Sequence, residues 1–286
     1  MTYSDASLGS PFIDPLLVVN GAEDRLQVVL GRRPAAGAAH ALLYAQEWVV
    51  PGQAARYLAP AIAQACAAAG LAPAELSVLA CVRGPGGFTG LRLVLSTALG
   101  LSRACDIPLS GLEYLPLLAA RPAGVLVAMR EILTRDGSGG SVFAITHARH
   151  GQVYVQGFVP EASAWCGVRP LAAARAVDLA TAAVIAAAGP GPRLACGSGA
   201  RRNEAFFLTQ WSGRVVILDA GFDHALPSTL LAAASRRVDE CKFSLDPIDP
   251  LYIRPSDAEE NLPEIARKSG MDVAAATELF AALTSQ

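Results

Sequence analysis

The chain has 286 residues, 52% of them hydrophobic and only 17% charged, which excludes a disordered polymer and leaves room for one large domain or two modest ones. A formal net charge of −2 and a pI near 6.1 exclude an autonomous nucleic-acid binder with a broad basic face. No uninterrupted apolar run reaches the roughly 18 residues of a membrane span.

Residues 1–14, rich in Ser, Gly, Pro and Asp, read as a mobile leader; with Asp5 and Asp14 and no apolar core they do not read as a signal peptide. Apolar runs predict strands over 16–20, 25–30 and 41–50, the first two joined by a turn at 21–24. A helix is expected over 53–69, stopped by Gly70 and kinked or restarted at Pro60. A buried strand follows at 76–82.

Next comes the most distinctive stretch, 83–92, reading Arg-Gly-Pro-Gly-Gly-Phe-Thr-Gly-Leu-Arg. Gly84, Gly86 and Gly87 permit positive φ and close approach, and Pro85 stiffens the turn. Thr89 is placed to cap a helix over 91–103, with Phe88 and Leu93 as a hydrophobic staple. The motif is neither Gly-x-Gly-x-x-Gly nor a P-loop. A strand-to-helix turn of this kind holds an anion or simply packs tightly, and the pattern alone leaves both open.

A second unit begins after Gly111. Helix is expected over 112–120, continuing over 125–134 beyond Pro122, then a linker at 136–140. Strands at 141–146 and 152–159, a helix at 179–188, strands at 194–199 and 215–218 and a helix at 228–240 complete it. Two successive hairpin-plus-helix units suggest an internal duplication. The tail, 256–286, carries an amphipathic helix over 272–283, with Val273, Ala276, Leu279, Phe280 and Leu283 on the face expected to dock on its own domain.

Six cysteines, at 66, 81, 105, 166, 196 and 241, lack any Cys-x-x-Cys or Cys/His cluster and read as reduced core residues of a cytoplasmic protein. His40, His147, His150 and His224 lack zinc spacing and read as surface or turn residues. No Gly-x-Ser-x-Gly elbow is present, and the turn Cys196-Gly197-Ser198-Gly199 reads as a loop or the remnant of an adenosine-facing turn. The helices over 53–69 and 91–103 carry apolar residues on more than one side, which fits either a monomer core or a docking surface.

The 83–92 stretch resembles the R-G-P-G-S-F-T-G-[VL]-R signature of the TsaB (YeaZ) family, bacterial proteins of threonylcarbamoyladenosine synthesis on transfer RNA. The resemblance continues in order through 107–112 (Ile-Pro-Leu-Ser-Gly-Leu), 148–154 (Ala-Arg-His-Gly-Gln-Val-Tyr) and 250–254 (Pro-Leu-Tyr-Ile-Arg). It implies an α/β fold of the two-lobed actin-like or sugar-kinase-like type, each lobe a mixed sheet with helices, with lobes at 15–111 and 112–255. It further implies a non-catalytic subunit that docks on a metal-bearing TsaD-like paralogue, with a small TsaE-like ATPase as third member and transfer RNA reached through the complex. The family pairs, with itself as a homodimer or with the paralogue, through first-lobe helices, which assigns docking to Leu58, Ile62, Leu91, Val94, Leu95 and Ala98. The residues Arg83, Gly84, Pro85, Gly86, Phe88, Thr89, Gly90 and Arg92 are the candidates to face phosphate. No tightly bound cofactor is expected, and ATP or ADP only in the complex.

ATP-using relatives of this fold place a carboxylate on the first hairpin of each half, where a hard anionic oxygen holds a metal–phosphate complex. Here those slots carry Asn20 and His147. An amide still accepts hydrogen bonds but brings no charge, so independent ATP hydrolysis is not expected. The competing reading is a small-molecule kinase or ATPase of the same fold taking its acid from Asp106 or Asp219. A peptidase, a label attached to some relatives of the fold, finds no nucleophile–base pair or metal set in the sequence.

Overall fold

The computed structural model describes residues 14–35, 37–129, 139–254 and 257–276. The first half supplies strands β1 (Leu16–Asn20), β2 (Arg25–Arg32), β3 (Ala41–Val49), β4 (Val78–Gly84) and β5 (Leu109–Glu113). Helices α1 (Ala54–Ala68) and α2 (Phe88–Cys105) connect β3 to β4 and β4 to β5. The sheet runs β3-β2-β1-β4-β5, antiparallel through the first three and parallel from β1 onward. The parallel steps need crossovers, and α1 and α2 provide them.

Both faces of this sheet are covered, which is why its central strands read as unbroken apolar runs. Leu17 and Val19 of β1, Leu26, Val28 and Leu30 of β2, and Leu79 and Cys81 of β4 face α1 and α2. The opposite face is covered by α7 (Pro227–Asp239), a helix from the far end of the chain. A Cβ at Gly31 would run into the Leu231 side chain, His40 Nδ1 meets Ser235 Oγ at 2.8 Å, and Arg33 pairs with Asp239. His40 is therefore a buried partner of α7, and the expectation of a surface histidine is corrected.

The second sheet repeats the plan. Its strands are β6 (Ser141–Arg149), β7 (Gln152–Pro160), β8 (Val168–Pro170), β9 (Arg175–Asp178), β10 (Arg193–Cys196) and β11 (Val216–Ile217). The order β11-β10-β6-β7-β8, read from its other end, matches the first sheet, with β8 and β9 together on β7 where β3 lies on β2. Again the first pair is antiparallel and the steps to β10 and β11 are parallel. The internal duplication expected from the sequence is present at the level of topology, and the fold is two-lobed α/β. Helix α3 (Tyr114–Ala128) leads from one sheet to the other and packs on β6 and β7. Helices α4 (Leu179–Ala187), α5 (Ser198–Arg202) and α6 (Glu204–Trp211) complete this lobe. Its core centres on Trp211, stacked on Phe207 at 4.6 Å with its indole N–H donating to the Ala183 carbonyl at 3.0 Å.

Several local expectations are corrected. Helix α1 runs as one element through Pro60, which sits on its exposed side. Helix α3 continues beyond Pro122 as expected, with that proline buried, and ends at Ala128; the expected continuation over 130–134 lies outside the described residues, as does most of the 136–140 linker. The helix after the glycine stretch starts at Phe88, with Gly87 as its cap and no side-chain capping bond; Thr89 lies in the first turn, exposed. Phe88 instead lies under the Arg92 guanidinium, 3.9 Å from its ring centre. Strands β8 and β9 and helix α6 had no clear sequence signal. Five of the six cysteines are wholly or partly buried, burial pushing the Cys81 thiol up to about 12, whereas Cys241 is exposed rather than a core residue.

Residues from Tyr252 onward form a separate unit. Its main element, α8 (Asp257–Lys268), was not expected, because Pro263 interrupts its pattern. Of the helix expected over 272–283, residues 273–276 are helical and the remainder lies outside the described residues. No helix among the described residues is long and apolar enough to cross a membrane.

Candidate functional site

The ends of β1 and β4 bring together the two stretches singled out by the sequence, the first hairpin turn and the glycine-rich loop. They meet backbone to backbone. The Gly87 N–H donates to the Ala22 carbonyl at 2.6 Å. A Cβ on Gly86 would collide with the Ala22 main chain, and one on Gly90 with the Gly21 carbonyl. The glycines therefore serve close packing of loop on hairpin. Of the phosphate-facing candidates, Gly84 and Pro85 are buried, and Gly86 and Gly90 are turned toward the hairpin. Arg83 points to the edge of the sheet, where it pairs with Glu113 at 3.1 Å. Thr89 and Arg92 are exposed.

Asn20 is buried, and both polar atoms of its amide are hydrogen-bonded. Its Oδ1 accepts the Ala22 N–H at 3.0 Å, fixing the turn, and its Nδ2 donates to Gln27 Oε1 at 2.6 Å. Asn20 and Gln27 are cross-strand partners, and Gln27 in turn is partnered with Glu47 on β3. Gln27 Nε2 donates both to Glu47 Oε1 and, at 2.8 Å, to the Ala225 carbonyl just before α7. This polar ladder across three strands satisfies each buried amide group, as interior polar groups require. The amide at position 20 is a structural clamp.

The sequence reading missed Glu23. It lies in the first hairpin turn, and its carboxylate receives the Ser198 hydroxyl from the second lobe and, at 2.8 Å, the Tyr114 hydroxyl from the start of α3. Ser198 Oγ also accepts the His147 N–H at 3.0 Å. A hydroxyl against a carboxylate is the beginning of a nucleophile–base pair, but here both carboxylate oxygens are taken and the hydroxyl is tied. The neighbouring Asp24 pairs with Arg202 at 3.1 Å. Burial raises the Glu23 carboxyl above its ordinary 4.5, against the pull of Ser198, Tyr114 and Arg202 and with a smaller push from Asp24. Burial, then Arg202, lowers the His147 imidazole against a smaller opposing pull from Asp24.

A sign follows for stability. A carboxyl raised on folding favours the native state fully at and below pH 4.5, and that share is lost as pH rises through the folded value. Urea midpoints from pH 4 to 8 should therefore fall more for the native protein than for Glu23→Gln, whose amide has no charge to desolvate; equal slopes would refute this.

The other acids proposed for catalysis lie elsewhere. Asp106 ends α2 in a left-handed conformation, about 27 Å along the helix from the glycine loop at 1.5 Å per residue. Asp219 accepts the Gly221 N–H at 2.8 Å as a turn cap. Among the described residues no three His, Cys, Asp or Glu side chains converge as a metal set would.

Of the side chains assigned to docking, Leu58, Ile62, Val94 and Ala98 are buried in the core under their own sheet, and Leu91 is buried beside Gly84. Leu95 is half-buried at the margin. The apolar stripe that the sequence showed is the inward one. The outward side of α1 carries Ala59, Ala63 and Ala67, and that of α2 carries Arg92, Ser96, Gly100 and Arg103, all exposed.

The two sheets of matching strand order define a two-lobed α/β protein. A family model described as TsaD, tRNA N6-adenosine threonylcarbamoyltransferase, matches residues 43–160. A solved structure of an uncharacterised Pseudomonas aeruginosa protein with similarity to peptidase YEAZ has 23% identity and a TM-score of 0.63, covering 84% of this chain and 100% of its own. YeaZ from Pseudomonas aeruginosa gives 22% identity and a TM-score of 0.61 with the same coverage. No curated protein sequence matches. The chain is YeaZ-like in fold, and its segment 43–160 is TsaD-like in sequence.

Proposed function

We propose that this protein is a non-catalytic subunit of the complex that adds a threonylcarbamoyl group to adenosine 37 of transfer RNA. It docks in the cytoplasm on a TsaD-like catalytic paralogue, with a TsaE-like ATPase as third member. The observation that carries the reading is the commitment of Asn20: the slot where an ATP-using relative needs a carboxylate holds an amide locked between Ala22 and Gln27. The glycine loop packed against the same hairpin supports it, as do the YeaZ-like fold and the TsaD-like segment.

The docking face is the outward side of α1 and α2, where Ala59, Ala63, Ala67, Ser96 and Gly100 let a partner helix approach closely between Arg92 and Arg103. Reconstitution tests the proposal: modification of transfer RNA should require this protein together with the paralogue, and full activity of the paralogue alone would reject it. Ala63→Arg, on the exposed face of α1, should weaken the pair at least about tenfold by sedimentation, as burying a bulky charge at an interface core does, while leaving the fold intact. Calorimetry with Mg-ATP addresses the kinase reading, since tight binding by the chain alone would favour it.

A further inference from the structure

Among the described contacts where the first hairpin meets the second lobe, one buried side chain, Glu23, gathers two hydrogen bonds. Glu23 belongs to the first-lobe hairpin, and Ser198 to the turn that follows β10 in the second. Ser198 follows Gly197, whose φ of 106° is one that L-residues avoid, and this turn brings the hydroxyl to the seam. Because Ser198 Oγ accepts the His147 N–H, its own proton is the one available for Glu23. The hydroxyl is thus oriented by its own lobe before it meets the other. Tyr114 donates from the segment joining the sheets, so the carboxylate is gripped from both directions. The adjacent pair Asp24–Arg202 also crosses the seam, but both partners are half exposed, and exposed pairs contribute little.

We infer that Glu23 is an interlobe latch, holding the first hairpin against the Gly197–Ser198–Gly199 turn so that the two lobes move as one body. Removing either end lets the lobes part at this seam while each keeps its own core.

Hydrogen–deuterium exchange on the full-length protein tests this with Glu23→Ala, Glu23→Gln and Ser198→Ala. Loss of the latch should speed amide exchange at least about tenfold both at 20–25 and at 197–203, whichever end is mutated, since local opening is read by exchange. Glu23→Gln should stay within about threefold of the native rate, because its carbonyl oxygen still accepts the Ser198 proton and its amide meets the Tyr114 oxygen. Acceleration confined to the mutated side, or none, would overturn the inference. Should Glu23→Ala fail to fold, Ser198→Ala decides alone, since it removes the latch from the other lobe and leaves the hairpin sequence untouched.

Discussion

Replacing Gly86 with valine should destabilise the protein by about 3 kcal/mol or more, the range reached when a side chain is forced into packed backbone. The obstacle is main chain: the Ala22 carbonyl and Cα occupy the space a Cβ needs. Relief requires moving the loop off the hairpin, which also breaks the bond from Gly87 N–H to Ala22 O. Thr89→Ala, at an exposed position of the same motif with no capping bond, should change stability by less than about 0.5 kcal/mol, as surface substitutions do. Urea denaturation of the two variants side by side gives the answer. If Gly86→Val were tolerated and Thr89→Ala damaging, the motif would be facing a ligand rather than the hairpin.

Asn20→Asp should be similarly harmful, at about 3 kcal/mol, the cost of an unpaired charge in the interior. The substitution looks like a restoration, since it returns a carboxylate to the slot used by ATP-hydrolysing relatives of the fold. In this protein it would set a carboxylate oxygen 2.6 Å from Gln27 Oε1 in place of a donor. Turning the Gln27 amide over does not help, because its Nε2 already serves Glu47 and the Ala225 carbonyl. The variant should lose stability and gain no nucleotide hydrolysis. An aspartate variant as stable as the native chain, with measurable turnover, would show that the clamp is dispensable and the site recoverable.

How far the sequence led depended on whether the signal was periodic or spatial. The central strands were legible because burial on both faces makes β1 and β4 continuous apolar runs, and α1 and α2 because Gly70 and the glycine loop punctuate them. The burial of most residues assigned to docking has a related reason. Periodicity reports which stripe of a helix is apolar, and in Leu58, Ile62 and Val94 that stripe faces the helix's own sheet; an outward side of alanine, serine, glycine and arginine has no such signal. Glu23 was invisible because an acid in a turn ordinarily faces water, and only the second lobe, 175 residues on, takes it out of water. In the same way nothing local marks 227–239 as cover for the first sheet, with the Leu231 side chain beside Gly31.

That last helix has a consequence for how the molecule is made. On the ribosome the amino-terminal sheet emerges with one surface bare, and the segment that will cover it is not synthesised until more than a hundred further residues have followed β5. Closure of so distant a contact slows folding and leaves apolar surface waiting. Nascent chains stalled before position 227 should therefore lean on chaperones, and a fragment ending near 113 should be insoluble where one reaching 251 is not.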